Sequence, residues 1–417
     1  MATGNQMGTR APAQAAASLE IARYASAPLA HDYHSGRRQM AQLVFVHGVA
    51  TRDTPAYQDV VENRDELFRQ LLFTGSDVAI HSPLWGQFVP AIPHDVFDTD
   101  KRVAAYALNL GAAPGLDAGL MGGGEQAGDT IDVSIGAIGK QDPVAALDAI
   151  CLEIVDRAAR EQRALKPEEL HAFRKASELI ASESAATAFV GDASSRTIAD
   201  QLAAGAPASL GGAFSIIGEA ISAVTDRVRN VASTLGFDAI RGSLSPAVGL
   251  FFGDVFVYLK EGEHRQSIRS EVGKALADAY AEAKAGKGPL VVVGHSMGGV
   301  ILVDMLTNPG SANLPDGFTV DALLTVGSQP GLFAALDLLE HNVPSESVRR
   351  KPDCVKHWLN IFDPIDPLAF RTDMIFDGAV DLAFNSVTGI ADAHSKYFQR
   401  PQFYARSRRR LEGFGVL

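Results

Sequence analysis

One serine stands out for what surrounds it. Val291, Val292 and Val293 form an apolar run that breaks into Gly294-His295-Ser296-Met297-Gly298, and apolar residues resume at Val300. A serine at G-x-S-x-G spacing suits a tight strand-to-helix turn, with the hydroxyl presented at the turn and the glycines letting backbone approach closely. A serine hydroxyl is a poor nucleophile until a neighbouring base takes its proton, and that base needs an orienting acid. On such a turn the expected chain order is serine, acid, histidine. The segment NIFDPIDPLAF offers two acids, Asp363 and Asp366, and of the eleven histidines only His394, in ADAHSKYF, lies beyond them. A proline follows each aspartate, fixing the loop and removing a competing N–H donor. The chemistry these residues could do together is acyl transfer, with Ser296 attacking, His394 carrying the proton and Asp363 or Asp366 orienting the ring.

The side chains need elements that bring them to one place. Leu290–Val293 reads as a strand, and the residues after Ser296 read as a helix. Leu43–Val46, in QLVFVHGV, reads as a strand buried on both faces and ending at His47-Gly48. Asp53 and Thr54 can cap a helix from Pro55, with Leu67, Leu71 and Leu72 on one side of its later turns. Further strands are predicted at Asp77–Leu84, Ala322–Val326 and Val355–Phe362, and a helix on Ile268, Val272 and Leu276 is closed by Gly286 and Gly288. Alternating strands and helices imply an α/β fold, a mostly parallel central sheet flanked by helices. In such sheets ligands meet the carboxyl ends of strands. His47, Ser296 and Asp363 or Asp366 each follow a predicted strand.

The middle of the chain differs. Between about Phe88 and Gly253 no comparable strand run occurs. Asp142-Pro143 has the form of a helix start, followed by Val144, Leu147, Cys151 and Ile154 at spacings of three and four. Phe214, Ile217, Ile221, Val224, Val228 and Val231 form a second such stripe, read as an internal packing face. The glycine-rich Gly115–Asp129 carries no phosphate-loop lysine and reads as a flexible connection.

Composition bounds the rest. With 47% hydrophobic residues, 21% charged residues and a net charge of −12, the chain is of ordinary globular balance and is not built for nucleic acid. The one dense basic cluster, Arg406, Arg408, Arg409 and Arg410, reads as a solvated C-terminal end. Cys151 and Cys354 read as free thiols suited to a reducing compartment. No secretory h-region and no 18-residue apolar span is found, so a cytoplasmic location is expected.

In combination, FVHGV (Phe45–Val49), VVGHSMGGV (Val292–Val300), LLTVGSQPGL (Leu323–Leu332), NIFDPIDPLAF (Asn360–Phe370) and AHSKYF (Ala393–Phe398) resemble the serine hydrolases of the α/β-hydrolase superfamily, of the lipase and esterase kind. The resemblance implies Ser296 as nucleophile, His394 as base and Asp366, the second aspartate of the N-x-x-D-x-x-D-P segment, as acid, with Asp363 the alternative. It also implies that the backbone N–H groups of Val49 and Met297 form an oxyanion hole, with His47 and His295 supporting them. Gln329 departs from the GSP that such relatives carry. The implied layout is a flexible N-terminal tail over 1–38, a first part of the hydrolase core over 39–89, a large helical cap or lid insertion over 90–253, and the rest of the core over 254–417. The expected function is cleavage of a carboxylic ester with a hydrophobic acyl group, through an acyl-enzyme and with no metal or organic cofactor. Thioesterase, amidase or acyltransferase chemistry uses the same residues, and an interaction protein on a hydrolase fold is the non-catalytic alternative. The expected partner is a small-molecule or lipid ester, with no nucleic acid, no transmembrane segment, transient contact with a membrane surface allowed, and the oligomeric state left open.

Overall fold

A strand of consecutive apolar residues cannot alternate between core and water, so both of its faces must be covered. That requirement shapes the whole sheet. The computed structural model describes residues 40–53, 55–90, 135–190, 195–210, 212–231, 252–340, 349–384 and 390–417. Six strands, β1 (Met40–Val46), β2 (Asp77–His81), β3 (Leu290–His295), β4 (Val320–Val326), β6 (Val355–Phe362) and β8 (Ala379–Ala383), form one parallel sheet in the order β2-β1-β3-β4-β6-β8. Two short strands, β5 (Arg349–Arg350) and β7 (Phe376–Asp377), pair separately. Leu43, Phe45, Val291, Val293, Leu324, Leu359 and Ile361 enter one core; Val44, Val46, Leu290, Val292, Leu323 and Trp358 enter the other.

The helices include α1 (Pro55–Leu67), α2 (Ile135–Gln141), α3 (Pro143–Arg160), α4 (Pro167–Ala181), α5 (Ser195–Ala203), α6 (Ala213–Val231), α7 (Glu263–Lys284), α8 (Met297–Thr307), α9 (Pro330–Ala335), α10 (Ile390–Ser395) and α11 (Pro401–Gly413). No described helix is long and apolar enough to cross a membrane. Helices α7 and α8 bury Ile268, Val272, Leu276, Val300 and Ile301 against one sheet face, the site-bearing strand β3 running directly into α8.

The other face is covered in part by the middle of the chain. Asp142 caps α3 as expected, its Oδ1 accepting the Ala145 N–H at 3.0 Å with Pro143 in the first turn. Leu147, Cys151 and Ile154 then join Phe173, Ile198 and Ile221 in a core continuous with Leu43 and Phe45 of the sheet and with Phe403 and Tyr404 of α11. The described part of 90–253 is therefore helical, and its core runs without a break into that of the sheet. Asp148 of α3, buried, accepts the Gln402 backbone N–H at 3.0 Å and its side-chain amide at 3.1 Å. Burial pushes the Asp148 carboxyl up to about 7, with the nearby Arg400 charge opposing the rise.

Three expectations need correction. Strand β2 stops at His81, short of Leu84, because Pro83 offers no N–H to a ladder and Trp85–Phe88 closes into a 3₁₀ turn. In the α6 stripe Ile217, Ile221 and Val224 are buried, but Phe214, in the helix's first turn, is 40% exposed; burial starts one turn later than the periodicity implies. The arginine cluster is only partly a solvated end: Arg406 donates to the Ala383 carbonyl, Arg408 to those of Leu72 and Thr74, and Arg409 pairs with Glu183. The side chains of Val228 and Val231, the Gly115–Asp129 connection, Thr54 and residues 1–38 lie outside the described residues. Both cysteines are free thiols.

Burial of this stripe has a measurable consequence. Ile221→Ala should destabilise the protein by about 2–5 kcal/mol, the usual cost of emptying a core position. Phe214→Ala should cost about 1 kcal/mol or less. Urea denaturation of the two variants checks the ranking.

Candidate functional site

From β1 the chain steps outward to β2 and then returns to place β3 on the opposite side of β1. Such a reversal opens a crevice beyond the carboxyl ends of the two central strands. His47-Gly48 leaves β1 there and Ser296 leaves β3. The two loops touch: a Cβ on Gly48 would stand 3.0 Å from the Ser296 Cβ.

Ser296 turns the chain from strand to helix with φ 51° and ψ −125°. A non-glycine residue there costs about 1–3 kcal/mol and persists only when its surroundings fix it. Its N–H donates to the Val326 carbonyl at 3.0 Å, and its carbonyl accepts the Gly299 N–H at 3.0 Å and the Ser328 hydroxyl at 2.6 Å. Gly294 and Gly298 are demanded by contact, since a Cβ on Gly294 would lie 2.6 Å from the Gly299 Cα and one on Gly298 would lie 2.2 Å from the Val46 carbonyl oxygen. Gly299, outside the motif, is equally constrained, 2.3 Å from the Ser328 hydroxyl by the same measure.

The Ser296 hydroxyl lies 3.0 Å from His394 Nε2. His394 Nδ1 lies 2.9 and 3.1 Å from the two oxygens of Asp366. A carboxylate can only accept, so Nδ1 carries the proton and Nε2 is left as an acceptor facing the serine. Asp366 is buried and also accepts the Tyr397 hydroxyl at 2.9 Å and the Leu368 N–H at 2.9 Å. Asp363 faces elsewhere. Its Oδ1 caps the Ile365 N–H at 3.1 Å, its own N–H donates to the Tyr397 hydroxyl at 2.8 Å, and its Oδ2 stands 3.8 Å from the buried Arg400 guanidinium. Of the two aspartates, Asp366 is the one brought to His394.

The acid loop hangs on polar side chains within the sheet. The Asn360 amide, near the end of β6, donates to the Phe370 carbonyl at 3.0 Å and to Asp381 of β8 at 2.9 Å, while Asp381 accepts the Thr372 N–H at 3.1 Å. The Gln329 amide donates to the Gly327 carbonyl at 3.0 Å and to the Leu368 carbonyl, tying the loop after β4 to that of Asp366. Lys396, two residues past His394, donates to Asp156 of α3.

The two expected backbone donors lie in the loop after β1 and at the start of α8. Met297 opens α8, so its N–H has no acceptor within the helix and lies at the end that favours negative charge. Val49 follows Gly48, whose carbonyl accepts His47 Nδ1–H at 2.7 Å and the Thr51 hydroxyl at 3.2 Å. In a trans peptide the C=O and the next N–H point apart, so anchoring the Gly48 oxygen sets the direction of the Val49 N–H. Ala50, at φ 58°, donates to Asp254 at 2.7 Å, and Arg52 pairs with the same carboxylate at 2.7 Å, pinning the loop from its far side.

No protein-family model, curated protein or solved structure matches this chain. What the site can do has to be read from its own atoms.

Neither neighbouring histidine is a free base. His47 is buried, stacked on Trp85 at 4.9 Å, and Trp85 donates to its carbonyl at 2.8 Å. Burial pulls its pKa to about 3, with the Gly48 hydrogen bond opposing the fall. His295 is also pulled to about 3, by desolvation first and then by the charge of His394. The residues that sequence reasoning missed are supports: Tyr397, Asp254, Asn360, Asp381 and Gly299. Tyr397 carried the clearest signal, a hydroxyl three residues past His394 and next to the apolar Phe398.

His47 gives a pH test. Its folded pKa of about 3 lies below the ordinary value of 6.5, so between these the unfolded chain binds the extra proton and stability falls as pH falls. Its contribution is whole above about pH 6.5 and declines by up to about 1.4 kcal/mol per unit toward pH 3. His47→Gln should flatten that acid slope, measured by urea denaturation from pH 7 to 4.

Proposed function

We propose that the protein is a serine hydrolase of the α/β-hydrolase kind that cleaves a carboxylic ester through an acyl-enzyme. The observation that carries this reading is the unbroken relay from Ser296 Oγ to His394 Nε2 at 3.0 Å and from His394 Nδ1 to Asp366 at 2.9 Å. In the first half-reaction Ser296 Oγ bonds to the ester carbonyl carbon while its proton passes to His394 Nε2. The tetrahedral oxyanion is received by the N–H groups of Met297 and Val49. As it collapses the carbon–oxygen bond to the alcohol breaks, and His394 returns the proton to the departing oxygen. In the second half, water adds to the acyl carbon, gives a proton to His394, and the carboxylic acid leaves as Ser296 recovers its hydrogen. Asp366 orients the ring and stabilises the imidazolium in both halves.

A hydrophobic acyl group is favoured by Phe252 and Phe256, stacked at 5.9 Å and 49% and 62% exposed on the helical stretch 252–259 that also carries Asp254. In this reading residues 90–253 are the cap, fastened beside the base through Lys396 and Asp156. The two free thiols suit a reducing, cytoplasmic setting.

Labelling by a fluorophosphonate probe tests the mechanism, since only an activated serine reacts. Wild type should label and turn over p-nitrophenyl esters, with chain length resolving the acyl preference; Ser296→Ala should lose both, by about 10³-fold or more. A variant that keeps substantial turnover would overturn the proposal. The acids should separate as well: Asp366→Asn should lower kcat on the order of 10⁴-fold, and Asp363→Asn far less.

A further inference from the structure

His295 is a residue that the relay does not use, yet its ring lies against the base. Its Nε2 is 2.9 Å from the backbone carbonyl of His394, and the two rings stand 5.1 Å apart at 33°. A carbonyl cannot donate, so Nε2 must carry the hydrogen and His295 is the donor. The carbonyl needs one: His394 sits in the last turn of the six-residue helix α10, where carbonyls have no partner within the helix. His295 is held in turn by Phe398, whose ring meets it edge-on at 5.4 Å and 83°. With its pKa pulled to about 3 by burial, the ring is neutral near pH 7, the hydrogen bond selects its tautomer, and it adds no positive charge beside His394.

We propose that His295 is a positioning residue, which holds the main chain of His394 to the residue preceding the nucleophile so that base and serine stay in register through the reaction. It extends the hydrolase reading and rests on it. The Ser296–His394 hydrogen bond must break when Oγ bonds to carbon, and the base must then remain in place to return its proton. The His295 donor is untouched by that step. It joins the loop of the base to the peptide unit adjoining Ser296, and neither end takes part in bond making.

The test separates the donor from its bulk. A glutamine amide reaches the place of Nε2, an asparagine amide only that of Nδ1, and methionine has the shape of glutamine without the donor. His295→Gln should label with the fluorophosphonate probe within about threefold of wild type, whereas His295→Met and His295→Asn should label about tenfold more slowly, the rate equivalent of one hydrogen bond. With a p-nitrophenyl ester the loss should fall on kcat and spare KM, with circular dichroism unchanged. Equal rates in all three variants, whether at or below that of wild type, would overturn the proposal, because only bulk or nothing at all would then matter. A Ser296→Ala control distinguishes the two levels: if wild type labels no faster than this control, the hydrolase reading itself falls, and the positioning role falls with it.

Discussion

The positive φ of Ser296 is the constraint on which the rest of the structure depends. A serine will hold that conformation only if neighbouring backbone closes around it, and here the neighbours come from four places: Val326 at the end of β4, Ser328 beyond it, Gly299 inside α8 and Val46 at the end of β1. The closeness is possible because Gly294, Gly298 and Gly299 have no side chains. A methyl group on Gly294 would meet the α8 backbone at 2.6 Å, one on Gly298 the β1 backbone at 2.2 Å, and one on Gly299 the Ser328 side chain at 2.3 Å. The turn thus fixes the spacing of the two central strands at their carboxyl ends, and with it the crevice into which His47, Ser296 and the acid loop converge.

Around that fixed point the polar groups are arranged in tiers, each held by the next. Asp366 is held by Tyr397 and Leu368, Leu368 by Gln329, and the far end of the loop by Asn360 and Asp381. Asp363, so close in sequence, is turned instead toward Arg400, which lies near Asp148 of α3. A buried cation flanked by buried carboxylates stabilises little by itself, but removing one partner leaves the others uncompensated. That cluster joins the middle helices to the acid loop by charge as well as by apolar packing.

Much of this was legible in the residues. The runs Leu43–Val46 and Leu290–Val293 read as buried strands because they are short, apolar and rich in β-branched residues; the chain order of Ser296, an aspartate at 363 or 366 and His394 named the candidate side chains, and the choice of Asp366 rested on the family resemblance. What could not be read has physical reasons. Strand β8, AVDLA, is short, and its central Asp381 looks like a turn residue until Asn360 and Thr372 are seen to satisfy it. Phe214 belongs to a faultless periodicity but falls on a helix end, and periodicity does not report where neighbours stop. Asp254 and Arg52 meet across 202 positions, and nothing local to either predicts the other.

The sheet also sets the order in which the protein can come into being. Val44 of β1 pairs with Val292 of β3, 248 positions later in the chain. The entropy of closing so long a loop grows only slowly with length, but the contact cannot repay it until everything between has been made. Until β3 is synthesised, the inner edge of β1 has no partner strand and Leu43 and Phe45 lack their later neighbours, exposed to wrong partners in the meantime. Helices α2–α6, rich in local contacts, can condense first and shield one side of β1. The crevice at β1 and β3 is therefore the product of a long-range closure, and a chain stalled before it holds His47 and Ser296 apart.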